Sequence, residues 1–358
     1  MNITSHEPSV SVLIRSMGRP SLDNALASIA EQIYANLDVV VVAACGDSHP
    51  ALPAFCGRFP LRLVGNGNKL PRAEAANFLV ASTQNQFCVF LDDDDTHAPN
   101  HVSGLMESLL RSPASRLAYS GIRVLNERGD EHGIIASEYD RLALHKENYI
   151  QLGAAVFMRT LYTIDGCRFD PSVGAYDDWD FWLQCSEHTD FVFRREATTN
   201  WHAAVGESGA GLGKNRSTDI NQASMQAIQT KWQSVRDDLQ GEFVARVAEG
   251  QQALRGKAYS KAESYFRAAL KIHSGDQATL NSLAMLLYAR RDYDEARKHL
   301  LRAAQTPGGL SDILCNLALI EIAVKKPDLA RRLLQHAIRE HPRHPRAEAM
   351  LAKLPPTT

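Results

Sequence analysis

The chain has 358 residues, 44% of them hydrophobic and 22% charged, which excludes a disordered or fibrous class. Lysine and arginine number 39 against 41 acids, so the basic excess needed for unspecific binding to nucleic acid is absent. The length suits about two domains, each able to bury its own core.

Cys45, Cys56, Cys88, Cys167, Cys185 and Cys315 form no CxxC pair and no zinc-ligand spacing, and read as reduced core thiols. The first apolar stretch, Val10 to Ile14, is too short for a signal-peptide core, and no stretch reaches the length of a membrane span.

From Val10 to about Arg195 the chain alternates β-branched runs with amphipathic helical patterns. Strands are expected at Val10 to Ile14, Asp38 to Ala44, Leu61 to Val64, Phe87 to Leu91 and Asp190 to Phe193. A helix joins the first two, with Leu22, Ala25, Leu26, Ile29 and Ile33 on one face, entered through Pro20 with Ser21 as candidate cap. This is the pattern of an α/β domain with a Rossmann-like, mostly parallel sheet. Gly65-Asn66-Gly67 lacks a third glycine and a following helix in register, and reads as a turn.

The strand at Phe87 runs straight into Asp92-Asp93-Asp94-Asp95. Ligands in open α/β sheets bind beyond the carboxyl ends of strands, and four adjacent carboxylates repel one another unless a divalent cation relieves them. A solvated acidic turn is the plainer reading, but the apolar strand before the acids and the helix opened by Pro99 after them favour a metal site. A second acid cluster, Asp177-Asp178-Trp179-Asp180, enters a helix, where first-turn acids complement the helix dipole. His202 follows Trp201 at the end of the last strand, and 206–216, rich in Gly and Ser with Lys214 and Arg216, reads as a linker or as a lid over a diphosphate.

After Asp219 the pattern is helical throughout, and from Phe243 it repeats. A 34-residue step links Tyr259 and Tyr293; Ala262, Ala296 and Ala330; Phe266, Leu300 and Leu334; Ala269, Ala303 and Ala337; and Gly250, Ala284 and Ala318. That step is the tetratricopeptide period, with small residues where paired helices approach closely. Three such repeats are expected at about 243–276, 277–310 and 311–344, within a repeat domain at 243–358 that follows an α/β domain at 1–218 and a helical linker at 219–242.

The acid run resembles the DxD motif of family 2 glycosyltransferases with the GT-A fold, in which a strand ends in Leu-Asp-x-Asp-Asp. Ser11 to Pro20 is similar to the family's first strand and nucleotide-binding turn, Arg72-Ala73-Glu74-Ala75-Ala76-Asn77 to the helix whose arginine reaches the donor, and Asp177 to Asp180 to its Glu-Asp-Trp-Asp element. The resemblance covers about residues 9–205. It implies donor binding by Ser16, Arg19, Arg72 and Asp92, with Asp92 near the ribose, and metal binding by Asp94, helped by Asp95 and His202. It makes Asp178 the general base and sets Asp177 and Trp179 at the acceptor. The acidic pair that reads the nucleotide base after the second strand is replaced by Ala43-Ala44-Cys45, and Asp47, the first acid that follows, is the further donor-binding candidate.

The expected activity is therefore inverting transfer of a hexose-type sugar from a nucleotide-diphosphate donor, with uridine the family's commonest base, using Mn2+ or Mg2+. The acceptor is a hydroxyl of a glycan or a protein, as in bacterial surface glycosylation. The repeats are expected to recruit a protein partner, and the enzyme to lie in the cytoplasm, where nucleotide sugars are available, with peripheral attachment to the inner face of the membrane left open. Two rivals stand beside it: a catalytically degenerate sugar-nucleotide-binding scaffold acting through the repeats, and a metal-dependent nucleotidyltransferase.

Overall fold

The computed structural model describes residues 7–204, 218–306 and 308–355. Residues 206–216, read above as linker or lid, lie outside the described residues. The chain forms two compact units, one of residues 1–139 and 144–233, the other of residues 140–143 and 234–358. Among the described residues no helix is long and apolar enough to cross a membrane.

The first unit is built on strands β1 (Val10–Ser16), β2 (Leu37–Ala43), β3 (Phe55–Cys56), β4 (Phe59–Val64), β5 (Phe87–Asp92), β6 (Thr96–His97), β7 (Leu117–Leu125), β8 (Glu131–Ile135), β9 (Ala155–Met158) and β10 (Phe191–Trp201). Its main helices are α1 (Leu22–Ala30), α2 (Arg72–Ala81), α3 (His101–Leu110), α6 (Asp177–Ser186) and α7 (Thr218–Lys231), with a single turn α5 (Thr160–Thr163), while residues 141–143 of the turn α4 (Arg141–Leu144) belong to the second unit. The strands join one sheet in the order β3-β4-β2-β1-β5-β9-β7-β10-β6, with β8 also paired to β7. β4, β2, β1 and β5 run parallel, as the βαβ pattern requires. Beyond β5 the sheet turns mixed, because β9 lies antiparallel between β5 and β7.

Five strands agree with the sequence reading, but β3, β6, β7, β8 and β9 are absent from it, and β7 is the longest of these. Every residue from Leu117 to Ile122 is buried, so the stretch shows no alternation of apolar and polar residues. α1 ends at Ala30, so Ile33, counted on its apolar face, lies past the helix and is 61% exposed. Ser21 sits at the N-cap position but its side chain makes no capping bond.

The second unit is helical: α8 (Gln233–Arg255), α9 (Tyr259–Ile272), α10 (Gln277–Ala289), α11 (Tyr293–Ala303), α12 (Leu310–Ala323), α13 (Pro327–Glu340) and α14 (Pro345–Ala352). The division between units falls inside the stretch 219–242, with α7 in the first unit and α8 in the second. The recurring residues are the contact residues: Ala262, Phe266, Ala269, Ala284, Ala296, Leu300, Ala303, Ala318, Ala330, Leu334 and Ala337 all have zero exposure. Gly250 shows why that register needs a small residue, since a Cβ there would lie 2.6 Å from the Phe266 ring. Pro327, one 34-residue step after Tyr293, opens α13 in its first turn, where a missing N–H costs nothing.

The period also appears in the backbone. Lys257, Arg291 and Lys325, 34 residues apart, all take positive φ, near 60°. Each closes a helix in a Schellman-type turn, with Ala258, Asp292 and Lys326 donating their N–H to Ala253, Leu287 and Glu321. A side-chain-bearing residue is disfavoured in this conformation by about 1–2 kcal/mol. Arg291→Gly, at an exposed site, should therefore raise the stability of the repeats by about 0.5–1 kcal/mol, read as a higher Tm in thermal unfolding.

Candidate active site

Because β1, β2 and β5 are parallel, their carboxyl ends open on one edge, and a cleft of about 260 Å3 lies there. Ser16, Met17 and Arg19 come from the end of β1 and its following turn, Arg72 from the start of α2, and Asp92 to Asp95 from the end of β5. Asn148, Gln151, Ala175, Tyr176, Asp178 and His202 complete the lining used below. One cleft thus brings together Ser16, Arg19, Arg72, Asp92, Asp94, Asp95, Asp178 and His202 of the residues that the sequence singled out. Asp47, exposed on the turn after β2, is not among the lining residues, nor are Asp177 and Trp179.

The four carboxylates after β5 have four different environments. Arg15 and Asp92 are cross-strand partners, and their side chains pair twice, Nε to Oδ1 at 2.8 Å and an Nη to Oδ2 at 2.9 Å. Burial works against ionising Asp92, but Arg15, Arg72 and Arg19 outweigh it and hold this carboxyl below its usual range. Asp93 is buried, accepting from the Met17 N–H at 2.9 Å and pairing with Arg19. Among the described residues Asp94 pairs with Arg19 alone, at 3.1 Å, against burial and the charges of Asp95 and Asp92, which push it up to about 7. Asp95 accepts from Gln151 Nε2 and from the His202 backbone N–H, both at 2.8 Å. Burial raises Asp95 too, with His202 opposing.

Among the described residues no three His, Cys, Asp or Glu side chains converge as a ready-made metal cage. Of the set Asp94, Asp95 and His202, Asp95 already accepts one hydrogen bond on each oxygen within the chain, which leaves each oxygen a further lone pair. Asp94 and His202 still fit a hard cation. Asp94 is a carboxylate short of positive charge, and His202 Nδ1 is buried with no hydrogen-bond partner among the described residues, 3.8 Å from Asp95 Oδ1 and so too far to bond it. Magnesium-type ions are commonly held by one or two carboxylates, with substrate phosphates filling the remaining positions.

The second acid cluster divides as sharply. Asp177, which the sequence set at the acceptor, has zero exposure: it pairs with Arg15 at 2.9 Å and with Arg72 at 3.5 Å. Arg15, within the stretch Ser11 to Pro20 but given no role there, therefore joins the end of β5 to the start of α6. Asp178 lines the cleft and accepts from Asn148 Nδ2 at 3.4 Å. Burial and the neighbouring Asp177 push its carboxyl up to about 7, against Arg72 and the Trp179 N–H.

Trp179 is corrected as well. Its ring has zero exposure and its Nε1 donates to the Leu144 carbonyl at 2.7 Å, so it is a core residue and presents no face to a sugar. Tyr176 lines the cleft, as do Tyr149 and Trp201, and is set edge-on to Trp179 with centroids 5.7 Å apart. Trp179→Ala should cost about 3–5 kcal/mol by opening a cavity, seen as a fall in the denaturant midpoint. A surface stacking residue would lose almost none.

Asn148, Gln151 and Tyr176 carried no motif to find them by. The only signal for Tyr176 was its place beside the acid cluster, and Asn148 and Gln151 reach the cleft from a loop before β9, a strand that the pattern did not reveal.

With the geometry in place, family models can be set against parts of the chain. Residues 11–163 match the model of glycosyl transferase family 2. The N-terminal unit carries a family 2 glycosyl transferase domain. Residues 277–306 match a tetratricopeptide repeat model, so the helical unit carries tetratricopeptide repeats. No curated protein matches the chain by sequence. Among solved structures the chain is similar to S. aureus TarS 1-349, at 12% identity and a TM-score of 0.47 over 93% of this chain and 91% of that one. It is similar to the same protein in complex with UDP-GlcNAc at 13% identity and a TM-score of 0.49, over 93% and 92%. An Arabidopsis OM64 TPR domain is similar at 14% identity and a TM-score of 0.29, over 31% of this chain and 91% of that one.

Proposed function

We propose that this glycosyl transferase domain moves a hexose-type sugar, with inversion, from a UDP-sugar to a hydroxyl of a glycan or protein, in the cytoplasm, with Mn2+ or Mg2+ as cofactor. The observation that carries the reading is the composition of one cleft: cations, a charge-starved carboxylate and a carboxylate that titrates near neutrality. Arg19 and Arg72 supply donors for the diphosphate, as arginines do wherever phosphate oxygens are bound. Asp94 and the His202 imidazole would hold the metal, with Asp95 fixed beside them by Gln151. When bound, that ion supplies Lewis-acid stabilisation of charge on the departing diphosphate.

Asp178 takes the proton of the acceptor hydroxyl while its oxygen bonds to the anomeric carbon and the bond to the nucleoside diphosphate breaks. A base with its proton affinity near neutrality is matched to that task, since it is ionised at working pH yet still basic enough to remove a proton as the bond forms. Asn148 steadies one oxygen of Asp178. Tyr176, beside it on the cleft, offers the ring on which an acceptor sugar can lie. Asp92 is bound twice to Arg15, so its role toward the donor ribose is best assigned to the Arg15–Asp92 pair as a rigid floor. The repeats would recruit the acceptor protein or an assembly partner through their grooves.

Incubating the protein with a panel of UDP-sugars and Mn2+ tests the proposal by product. UDP release with sugar transferred to acceptor or water supports it. Pyrophosphate release would mean a nucleotidyltransferase, and binding without turnover a scaffold.

A further inference from the structure

We propose that Ser224 and Lys231 of α7 are positioning residues for the general base, so that α7 is a working part of the acceptor side of the cleft; this rests on the reading of Asp178 as base. Asp178 stands in the first turn of α6, directly after a 3-10 turn, Pro171–Tyr176, and that turn supplies Ala175 and Tyr176 to the cleft. α7 holds this segment at three points. Before the turn, Lys231 Nζ pairs with Asp170 Oδ2 at 2.6 Å, and Asp170 itself caps the turn by accepting from the Ser172 N–H. After it, the same ammonium pairs with Asp180 Oδ2 at 2.9 Å, two residues past the base.

In the middle, Ser224 Oγ accepts the Ala175 N–H at 3.0 Å, and Ser224 is itself buried. The approach is close enough that Gly174, at φ +62°, could not carry a side chain: a Cβ there would collide with Ser224 Oγ. Asp180 has zero exposure and is fully engaged, accepting from Trp232 Nε1 and Gln184 Nε2, both at 2.7 Å, besides Lys231. A carboxylate taken wholly out of water is costly unless its partners are fixed, so these bonds define one position for the first turn of α6. A helix that merely connected two units would have no use for such a site. Displacing a catalytic carboxylate by an ångström costs about 100-fold in rate.

The test compares Ser224→Ala, Lys231→Met and Lys231→Arg with the parent full-length chain. Hydrogen exchange followed by mass spectrometry reads the 171–178 segment, calorimetry reads UDP affinity in the presence of Mn2+, and UDP release is followed with the UDP-sugar that the parent turns over. Ser224→Ala and Lys231→Met should speed amide exchange in 171–178 and lower kcat about 10-fold or more, with UDP affinity changed less than about twofold. Lys231→Arg should restore most of kcat. The inference is overturned if exchange in 171–178 is unchanged, or if kcat and UDP affinity fall together in step with Tm, as a loss of folded protein would produce. Ser224→Ala leaves Asp180 paired, and so covers the case in which Lys231→Met does not fold. Asp178→Asn is run alongside: if it keeps full turnover, the assignment of the base has failed, whereas loss of turnover there with normal kcat in both α7 variants refutes the positioning role alone.

Discussion

Asp178→Asn should leave the affinity for UDP with Mn2+ within about twofold of the parent while lowering kcat by about 10²- to 10⁴-fold, the usual contribution of a positioned general base. Asparagine keeps the shape and can still accept from Asn148, but it cannot take a proton. The same residue fixes the pH profile. Burial and Asp177 raise its carboxyl to about 7, and the base works ionised, so kcat/KM should climb with pH below about 7 and level off above it. In Asp178→Asn that limb should vanish from the residual rate. The stability effect runs the other way. The folded-state value lies above the unfolded carboxylate's, near 4, so the native state binds the proton more tightly and loses stability as pH rises between about 4 and 7. Above that window Asp178→Asn removes a destabilising charge, and its Tm at pH 8 should exceed the parent's, by an amount worth on the order of 1–3 kcal/mol. A variant that is more stable and nearly inactive would mark Asp178 as a functional charge held at a cost. Turnover within about twofold of the parent would remove it from the mechanism.

Asp94→Ala should abolish Mn2+-dependent UDP release, a loss of about 10²-fold or more, since a metal ion's stabilisation of transition-state charge is worth several kcal/mol. It should also remove the extra thermal stabilisation that Mn2+ gives to the UDP-bound protein, because a ligand at free concentration L that binds only the native state stabilises it by RT ln(1 + L/Kd), a term that vanishes when affinity is lost. Asp93→Asn is the instructive comparison. Asp93 is the neighbouring acid, but both its oxygens are engaged by Arg19 and the Met17 N–H. Its loss should loosen the turn after β1 and weaken UDP binding while preserving the dependence on Mn2+. Equal metal response in Asp94→Ala and the parent would defeat the assignment of Asp94.

What the amino-acid order determined by itself was periodic or local in origin. Alternating β-branched runs and helical stripes define the parallel half of the sheet, because each strand buries its residues against helices adjacent in sequence. The 34-residue step defines the repeats, because each repeat packs only on its neighbours. The acids after β5 and at the start of α6 could be placed at the carboxyl edge of a sheet for the same reason: a strand end or a helix start is a local event.

The tertiary structure decided which acid does what. Asp92 to Asp95 are adjacent in sequence, yet one is bound by Arg15, one by Arg19 and Met17, one by Gln151 and His202, and one is left short of positive charge. Likewise Asp177 and Asp178 are neighbours, but only the second reaches the cleft. These outcomes depend on partners 30 to 162 positions away, from Asn148 for Asp178 to Arg15 for Asp177, and no local pattern encodes them. Trp179 was misplaced for the same reason: helical spacing says which face a ring shares, and only packing says whether that face meets core or solvent. Burial sets proton affinities and pairing sets orientation, and both are properties of the assembled sheet.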